Sequence, residues 1–479
     1  MVKRKSEQFL KEPSKNEQSS VLTRSEYEYS NSVSKEKYIL QNKSFNQQFS
    51  HLYLVRLSQL KDRVTKRAIS HLGNKQADIA KRIMYLNEEG ANIVVGTLYK
   101  DMKLKPNILL EYTKERYIDA DIPKTVSDIE EEDGVTKHRI TPEDVFVLED
   151  ETGRIKLILD EVKDKHKQLL NDLVTGVIIA VLGEQDHNGH LVVKDIILHD
   201  LPKQSPQKSL NEDAYVALVS GLLIGSPKSN ILSMQTMIDY ICGVVGGSED
   251  HEQSAKIIRV IFAGDSVSAP DRMEGEIFGV RGSLRHKEKQ SLVERMKQMD
   301  SLVKQLCASV DVDIMPGEQD PANGTQPQQP LHPSMLPESS RFTSTHLTCN
   351  PYAFTLNGCN FLGTSGQNIE DVKKYSNCDS SIEIMESMMR WAHIAPTAPD
   401  TLNCYAFEEM DPFVIDETPH VFFAGNQNAY ETKKIEGVNG AKSLLISLPC
   451  FAKEPMIVLV NIRTLECHPV KFNINSEYI

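Results

Sequence analysis

A strand, a helix and a second strand in close succession constrain this chain most. "YVALVSGLLIG" (215–225) is an apolar strand-like run, "NILSMQTMIDYICG" (230–243) has helical spacing, and "IIRVIFAG" (257–264) is strand-like again. Two strands joined through a helix need a crossover, and crossovers of this kind build parallel sheets. The rhythm continues. Leu292, Met296, Met299, Val303 and Leu306 recur every three or four residues in a helix expected across 287–308, and "DVDIM" (311–315) is a third strand stopped by Pro316. Those methionines read as a core stripe rather than a cofactor box. Further strands are expected near 352–363, 420–424, 442–449 and 455–462, with a helix near 379–394. Residues 201–479 are therefore expected to form one α/β domain.

The preceding region has a different texture. "HLYLVRLSQLK" (51–61) reads as strand-like before turning helical, and "ANIVVGTLYK" (91–100) is β-rich. Two hairpins follow, "DVFVLEDETGRIKLIL" (144–159) and "TGVIIAVLGEQDHNGHLVVKDIIL" (175–198), the second turning at Asn188-Gly189. His187 and His190 flank that turn and read as solvent-facing residues. Short strands with few helices point to a small β-barrel over 49–200, with an OB-fold as the first expectation. Residues 1–48 are polar, with nine Lys or Arg against six Glu, and read as an arm that is partly disordered or laid along another surface. The acidic stretch "SDIEEEDG" (127–134) reads as a solvated loop.

Composition excludes several roles. A net charge of −13 over 479 residues argues against a protein that grips nucleic acid over a wide face, because phosphate neutralisation needs excess lysine and arginine. Charged residues make up 25% of the chain, and no run of about 18 apolar residues reads as a membrane span. The start, "MVKRKSEQFLKEPSKNEQSS", has basic residues but no apolar core behind them, so it does not read as a secretory signal. The eight cysteines are scattered with no C-x-x-C pair, as expected for reduced core residues rather than a zinc or iron–sulfur site.

Sites in open α/β sheets form where strands give way to loops. The strand-end loops here read "SGLLIGSP" (220–227), "GDSVSAP" (264–270), "PGEQDPAN" (316–323), "GTSGQN" (363–368) and "GNQNAYET" (425–432). Their order resembles the calcineurin-like metallophosphoesterases, whose loops read D-x-H, G-D-x-x-D, G-N-H-[DE] and G-H-x-H around two metal ions. On that pattern Ser220 and Leu222 stand at the first aspartate and histidine, and Asp265 keeps the shared carboxylate. Glu318 and Gln319 stand at the metal-binding asparagine and the catalytic histidine, Gly317 and Asp320 persist, and Asn426 and Asn428 replace the last two histidines. A dinuclear site needs several anionic or imidazole ligands, and one aspartate among amides and a leucine supplies too few. These positions are expected to be vestigial, with Asp265 accepting from loop N–H groups. No catalytic residue, metal or cofactor is expected. His286, His332 and His346 show no recognisable ligand spacing.

An inactivated phosphoesterase behind an OB-like barrel resembles the B-type small subunits of eukaryotic replicative DNA polymerases, and most closely the delta type. The resemblance spans about 25–465 and is carried by "PGEQDPANGTQPQQPLHPSMLP" (316–337), "NPYAFTLNGCNFLGTSGQNIEDV" (350–372), "HIAPTAPDTLNCYAF" (393–407) and "DETPHVFFAGNQNAYET" (416–432). Ala406 departs from the family's proline. The resemblance implies an α+β multidomain chain: an OB-like barrel, then an α/β calcineurin-like sandwich without the metal ligands. It also implies that 316–337, despite its prolines, is an ordered loop.

For function, the resemblance implies a nuclear, non-catalytic bridge in DNA replication and repair synthesis. Such subunits bind the C-terminal metal-cluster domain of the delta catalytic subunit and the N-terminal domain of a third subunit, which contacts the sliding clamp. Two rivals stay open. One is an active metal-dependent phosphodiesterase or nuclease, since archaeal relatives retain the ligands. The other is a single-strand-binding OB protein, which needs stacking aromatics in a basic groove. Tyr53, Tyr85, Tyr99, Tyr112, Tyr117 and Phe146 are not interleaved with a dense basic run, so contact with DNA is expected to be weak or confined to the assembled complex.

Overall fold

The computed structural model describes residues 22–41, 46–72, 78–87, 90–105, 138–159, 164–269 and 281–472. The acidic stretch 127–134, Tyr112, Tyr117 and the side chain of His286 lie outside the described residues. In chain order the elements begin with β1 (Tyr29–Ser30), α1 (Ser32–Lys37) and α2 (Ser50–Leu72). Seven further elements follow: β2 (Asp78–Ala80), β3 (Asn92–Asp101), β4 (Val145–Glu149), β5 (Arg154–Leu159), α3 (Asp164–Asp172), β6 (Ile178–Gln185) and β7 (Leu191–Ile197).

Strands β3 to β7 close on themselves in the order β3-β4-β5-β7-β6, with β6 pairing back to β3 and β5 running parallel to β7. That closed five-stranded barrel, with α3 between its third and fourth strands, is the architecture expected from the two hairpins. The reading of 51–61 as initially strand-like is corrected: Ser50–Leu72 is one helix throughout. Leu57, Leu60, Val64, Ala68 and Leu72 form its buried stripe against Ile93, Val95, Ile178, Ala180 and Leu182 of the barrel. The stripe is hard to read in the sequence because the buried Arg56 interrupts it, while Leu54 is exposed.

The second half contains β8 (Tyr215–Val219), α4 (Ile231–Ile241), α5 (Ser248–Ala255), β9 (Ile257–Ala263), α6 (Arg281–Cys307), β10 (Asp311–Met315) and β11 (Thr345–Leu347). It continues through β12 (Tyr352–Leu356), β13 (Cys359–Thr364), α7 (Gln367–Tyr375), α8 (Ser381–Arg390) and β14 (Val421–Gln427). It ends with β15 (Glu431–Glu436), β16 (Lys442–Pro449), β17 (Met456–Asn461) and β18 (Glu466–Lys471). Two six-stranded sheets result, ordered β11-β10-β9-β8-β17-β18 and β1-β12-β13-β14-β16-β15. The crossovers make β8, β9, β10 and β11 parallel, and likewise β13, β14 and β16.

Leu218, Ile261 and Met315 from one sheet meet Phe354, Phe361, Phe423 and Ile446 from the other in a shared apolar layer. The stripe Met296, Met299, Val303 and Leu306 of α6 covers the outer face of the first sheet, as the spacing predicts. Helices α7 and α8 cover the second sheet, and Ile369, Val372, Met388 and Trp391 belong to one continuous core with Val94, Leu98 and Leu148 of the barrel. The molecule is thus a mixed α/β body of several sheets in which barrel and sandwich share apolar packing.

Part of the polar arm is laid along the sandwich. β1 pairs antiparallel with β12, and the Tyr29 ring lies 3.9 Å from the Arg259 guanidinium. Arg24 donates to the carbonyls of Ile241, Ser254 and Ile257, and Ser34 Oγ donates to Ala353 O at 2.8 Å. Among the described residues of the arm, Arg24 and Lys37 thus bond to groups of this same chain, Lys37 to Asp416 and to Val414 O.

Candidate functional site

The five strand-end loops converge and are latched by backbone and side-chain bonds together. After β8, Gly221 N donates to Gly264 O at 3.0 Å, and Leu223 N donates to Asp265 O at 3.1 Å. Gly317 is forced by this crowding, because a β-carbon there would stand 2.2 Å from both Asp265 N and Asp265 Oδ1. Gly425 is forced likewise, its β-carbon position lying 2.2 Å from Ala263 O. These glycines are what lets the loops approach this closely.

Asp265 has the left-handed φ of 54° and is 7% exposed. Its Oδ1 accepts from Gln319 N at 2.9 Å. Burial, then the neighbouring Asp320, pushes its carboxyl up to about 7. Asp320 is also buried, and burial raises it to about 6. Its two oxygens accept from Val267 N at 3.0 Å and Gly317 N at 2.8 Å. Both carboxylates therefore serve as acceptors that tie one loop to the next.

The remaining sequence-derived positions are divided. Ser220 Oγ donates to Pro449 O at 3.1 Å and accepts from Asn426 N at 3.0 Å, so Ser220 and Asn426 are brought together. Asn426 Nδ2 donates to Ser365 O at 2.9 Å, while its buried Oδ1 has no partner. Leu222 is packed in the apolar layer beneath α4 and α6. Glu318, Gln319 and Asn428 are exposed, although Gln319 Oε1 accepts weakly from Ala269 N at 3.4 Å. His332 Nδ1 sits 2.7 Å from Ser334 Oγ, and the His346 ring packs against Tyr29 at 5.5 Å. His187 is exposed, and His190 Nδ1 lies 3.2 Å from Asp186 Oδ2.

Sequence reasoning missed the amides that fill the space between the loops. Asn350 Nδ2 lies within bonding distance of Gln328 Oε1 at 2.7 Å, Ser365 Oγ at 2.8 Å and Gln367 Oε1 at 2.9 Å. Gln328 Nε2 donates to Gly317 O at 3.0 Å and Asn323 O at 2.9 Å. The amide-rich wording of 316–337 and 363–368 carried that signal. Each member of this network is neutral, so it can order loops without the charge a metal pair requires. Among the described residues no group of three His, Cys, Asp or Glu side chains stands close enough to hold a metal ion.

A second polar centre joins the barrel side to the sandwich. Arg56 Nη1 donates to Gly176 O at 3.2 Å and Pro396 O at 2.8 Å, and Nη2 donates to Ala398 O at 2.5 Å. Lys100 of β3 is likewise buried and donates to Leu173 O at 2.9 Å and Tyr375 O at 3.1 Å, so it reaches the end of α7. Burial lowers the Lys100 amine to about 8. Such contacts fix the angle between barrel and sandwich and the surface they jointly present.

Residues 48–196 match the family profile described as the DNA polymerase delta subunit OB-fold domain, and residues 216–433 match the profile of the B-type subunits of DNA polymerases alpha and epsilon. The chain is 38% identical to the DNA polymerase delta small subunit of Oryza sativa subsp. japonica over 458 residues, 94% of this chain and 99% of that one. It is 30% identical to the DNA polymerase delta small subunit of Saccharomyces cerevisiae, covering 90% of this chain and 91% of the relative. A more distant likeness, 24% identity, reaches the DNA polymerase II small subunit of Pyrococcus horikoshii over 61% of this chain and 46% of that protein.

Proposed function

The chain belongs to the family of DNA polymerase delta small subunits, and from that premise we propose that it is the non-catalytic bridge of the holoenzyme. It is an accessory subunit in DNA replication and works in a complex with other polymerase subunits. In the bridging role it binds the C-terminal metal-cluster domain of the catalytic subunit on one side and the third subunit on the other. Through the third subunit it is linked to the sliding clamp, and it acts in the nucleus in replication and repair synthesis. The working parts are an arm (1–48), an OB-fold domain (49–200) and an inactive calcineurin-like phosphoesterase domain (201–479).

The observation that carries this reading is the use made of Asp265 and Asp320. Where a phosphoesterase would aim carboxylates at metal ions, these accept from the backbone N–H groups of Gln319, Val267 and Gly317. Ser220, Leu222, Glu318, Gln319, Asn426 and Asn428 complete the vestigial set. Rigid fusion of barrel and sandwich through Arg56 and Lys100 also suits a bridge, since a fixed angle presents two docking faces at a constant separation.

Omission tests the bridge. Tagged catalytic subunit is mixed with the third subunit, with and without this chain, and the retained proteins are weighed. Capture of the third subunit only when this chain is present is the expected result. Equal capture without it overturns the reading.

A further inference from the structure

Beside α2, where the barrel side meets the sandwich, a cleft of about 640 Å³ is lined by Arg63, Lys66, Arg67 and Lys203 against only two carboxylates, Asp200 and Asp416. Both carboxylates are already engaged. Asp416 is clamped by Arg63 at 2.6 Å and by Lys37, and Asp200 is held by Arg390 at 2.6 Å and by Val438 N at 2.8 Å. Among the described residues the Lys203 amine has only a long ion-pair contact of 3.7 Å to Glu417. Among the described residues Lys66 and Arg67 have no ion pair and no side-chain hydrogen bond. Unbalanced positive charge in a concavity is notable on a chain of net charge −13. His199, which also lines the cleft, is kept below its ordinary proton affinity by burial and then by Arg63 and Arg67.

We propose that this cleft binds an acidic peptide segment of a partner protein, with carboxylates on Lys66 and Arg67 and an apolar side chain on the Val438 rim. The mixed lining favours a peptide over other anions. Val438 is 74% exposed and stands with Leu201 and Pro202 on the wall of the cleft, where a phosphodiester backbone would gain nothing. A compact cleft is also too short for the multiple phosphate contacts that bind nucleic acid to a protein of opposing net charge. Charge complementarity of this kind sets partner choice and encounter rate.

The test uses the purified assembly of this chain with its polymerase partners, carrying a photo-crosslinking amino acid at Ser70, an exposed residue on the wall of the cleft. Irradiation is expected to trap one peptide of net negative charge. The double variant Lys66→Glu/Arg67→Glu is expected to cut the yield about tenfold, while Lys228→Glu, outside the cleft, leaves it unchanged. An adduct to DNA, an adduct to a peptide without excess acid, no adduct, or indifference to the double variant overturns the proposal. Because these side chains have no ion pair or side-chain hydrogen bond among the described residues, the double variant is expected to unfold at the wild-type temperature. The proposal rests on the chain being a polymerase subunit but not on the bridge. Failure of the bridge would show as dissociation of the assembly before irradiation.

Discussion

Arg56 Nε donates to Asp411 Oδ2 across 2.6 Å, and both side chains are fully buried. His393 Nε2 shares the same carboxylate oxygen at 2.9 Å, and Phe413 N donates to the other oxygen at 2.9 Å. Burial alone would push the Asp411 carboxyl up, but Arg56 and then His393 hold it well below the usual carboxylate range. One ion pair thus connects the helix that packs on the barrel to the loop that follows α8. Desolvation of both groups offsets much of the attraction, so the pair adds little net stability over a well-packed apolar pair.

Removing one partner should leave an uncompensated buried charge. Arg56→Met and Asp411→Leu are each expected to destabilise the chain by about 3–5 kcal/mol, and Arg56→Met/Asp411→Leu by less than the sum. Denaturant unfolding of the three variants measures this.

His393 gives the same region a pH response. Burial, then Arg56, lowers its imidazole to about 4 against an ordinary value of 6.5. Between those pH values the unfolded chain binds the proton and the folded chain does not, so stability rises with pH across the window and is fully present above 6.5. His393→Gln should flatten the slope of unfolding free energy between pH 4 and 6.5, by at most about 1.4 kcal/mol per pH unit.

Asp265 and Asp320 should respond differently to the same substitution. With its carboxyl raised to about 7, Asp265 binds a proton in the fold that the unfolded chain has lost, so its contribution declines as pH rises from 3.8 to about 7. Asp265→Asn keeps an acceptor for Gln319 N and should raise the melting temperature at pH 8, with the gain fading near pH 4. Asp320→Asn must face an amide donor toward Val267 N or Gly317 N and should cost about 1–3 kcal/mol at pH 7. Thermal scans at both pH values decide between them.

The arm should detach when its aromatic anchor is removed. Tyr29 sits on Arg259 and its hydroxyl lies 2.7 Å from Tyr352 Oη, while Arg259 is held by Asp311 and Asp313. Tyr29→Ala is expected to expose 22–40 to limited proteolysis at least about tenfold faster, with the sandwich left intact. Cleavage at the wild-type rate would contradict that anchoring.

Legibility in the sequence follows how local each signal is. The second hairpin is readable because Asn188-Gly189 is a short-range turn signal, and α6 because its stripe repeats within one helix. Helix α2 reads wrongly at its start because Arg56 sits in its buried stripe, and a buried cation is explained only by Asp411, which lies 355 positions along the chain. The strand-end loops are legible in order, and their amide-rich wording hints at a polar network, yet which of Gln328, Asn350, Ser365 and Gln367 meet is not legible, since amides are equally at home in solvent. The exposed end of Asn428 and the apolar burial of Leu222 likewise depend on which way each strand end turns.

The most direct measurement is to tag this chain in its own cells, purify it at moderate salt, and weigh the intact assembly together with its metal content. Recovery near one-to-one with a delta-type catalytic subunit and a third subunit, and no manganese on this chain, is the expected result. Recovery of the chain alone with bound manganese, and metal-dependent release of nucleotides lost on Asp265→Ala, would contradict the bridge and restore an active phosphoesterase.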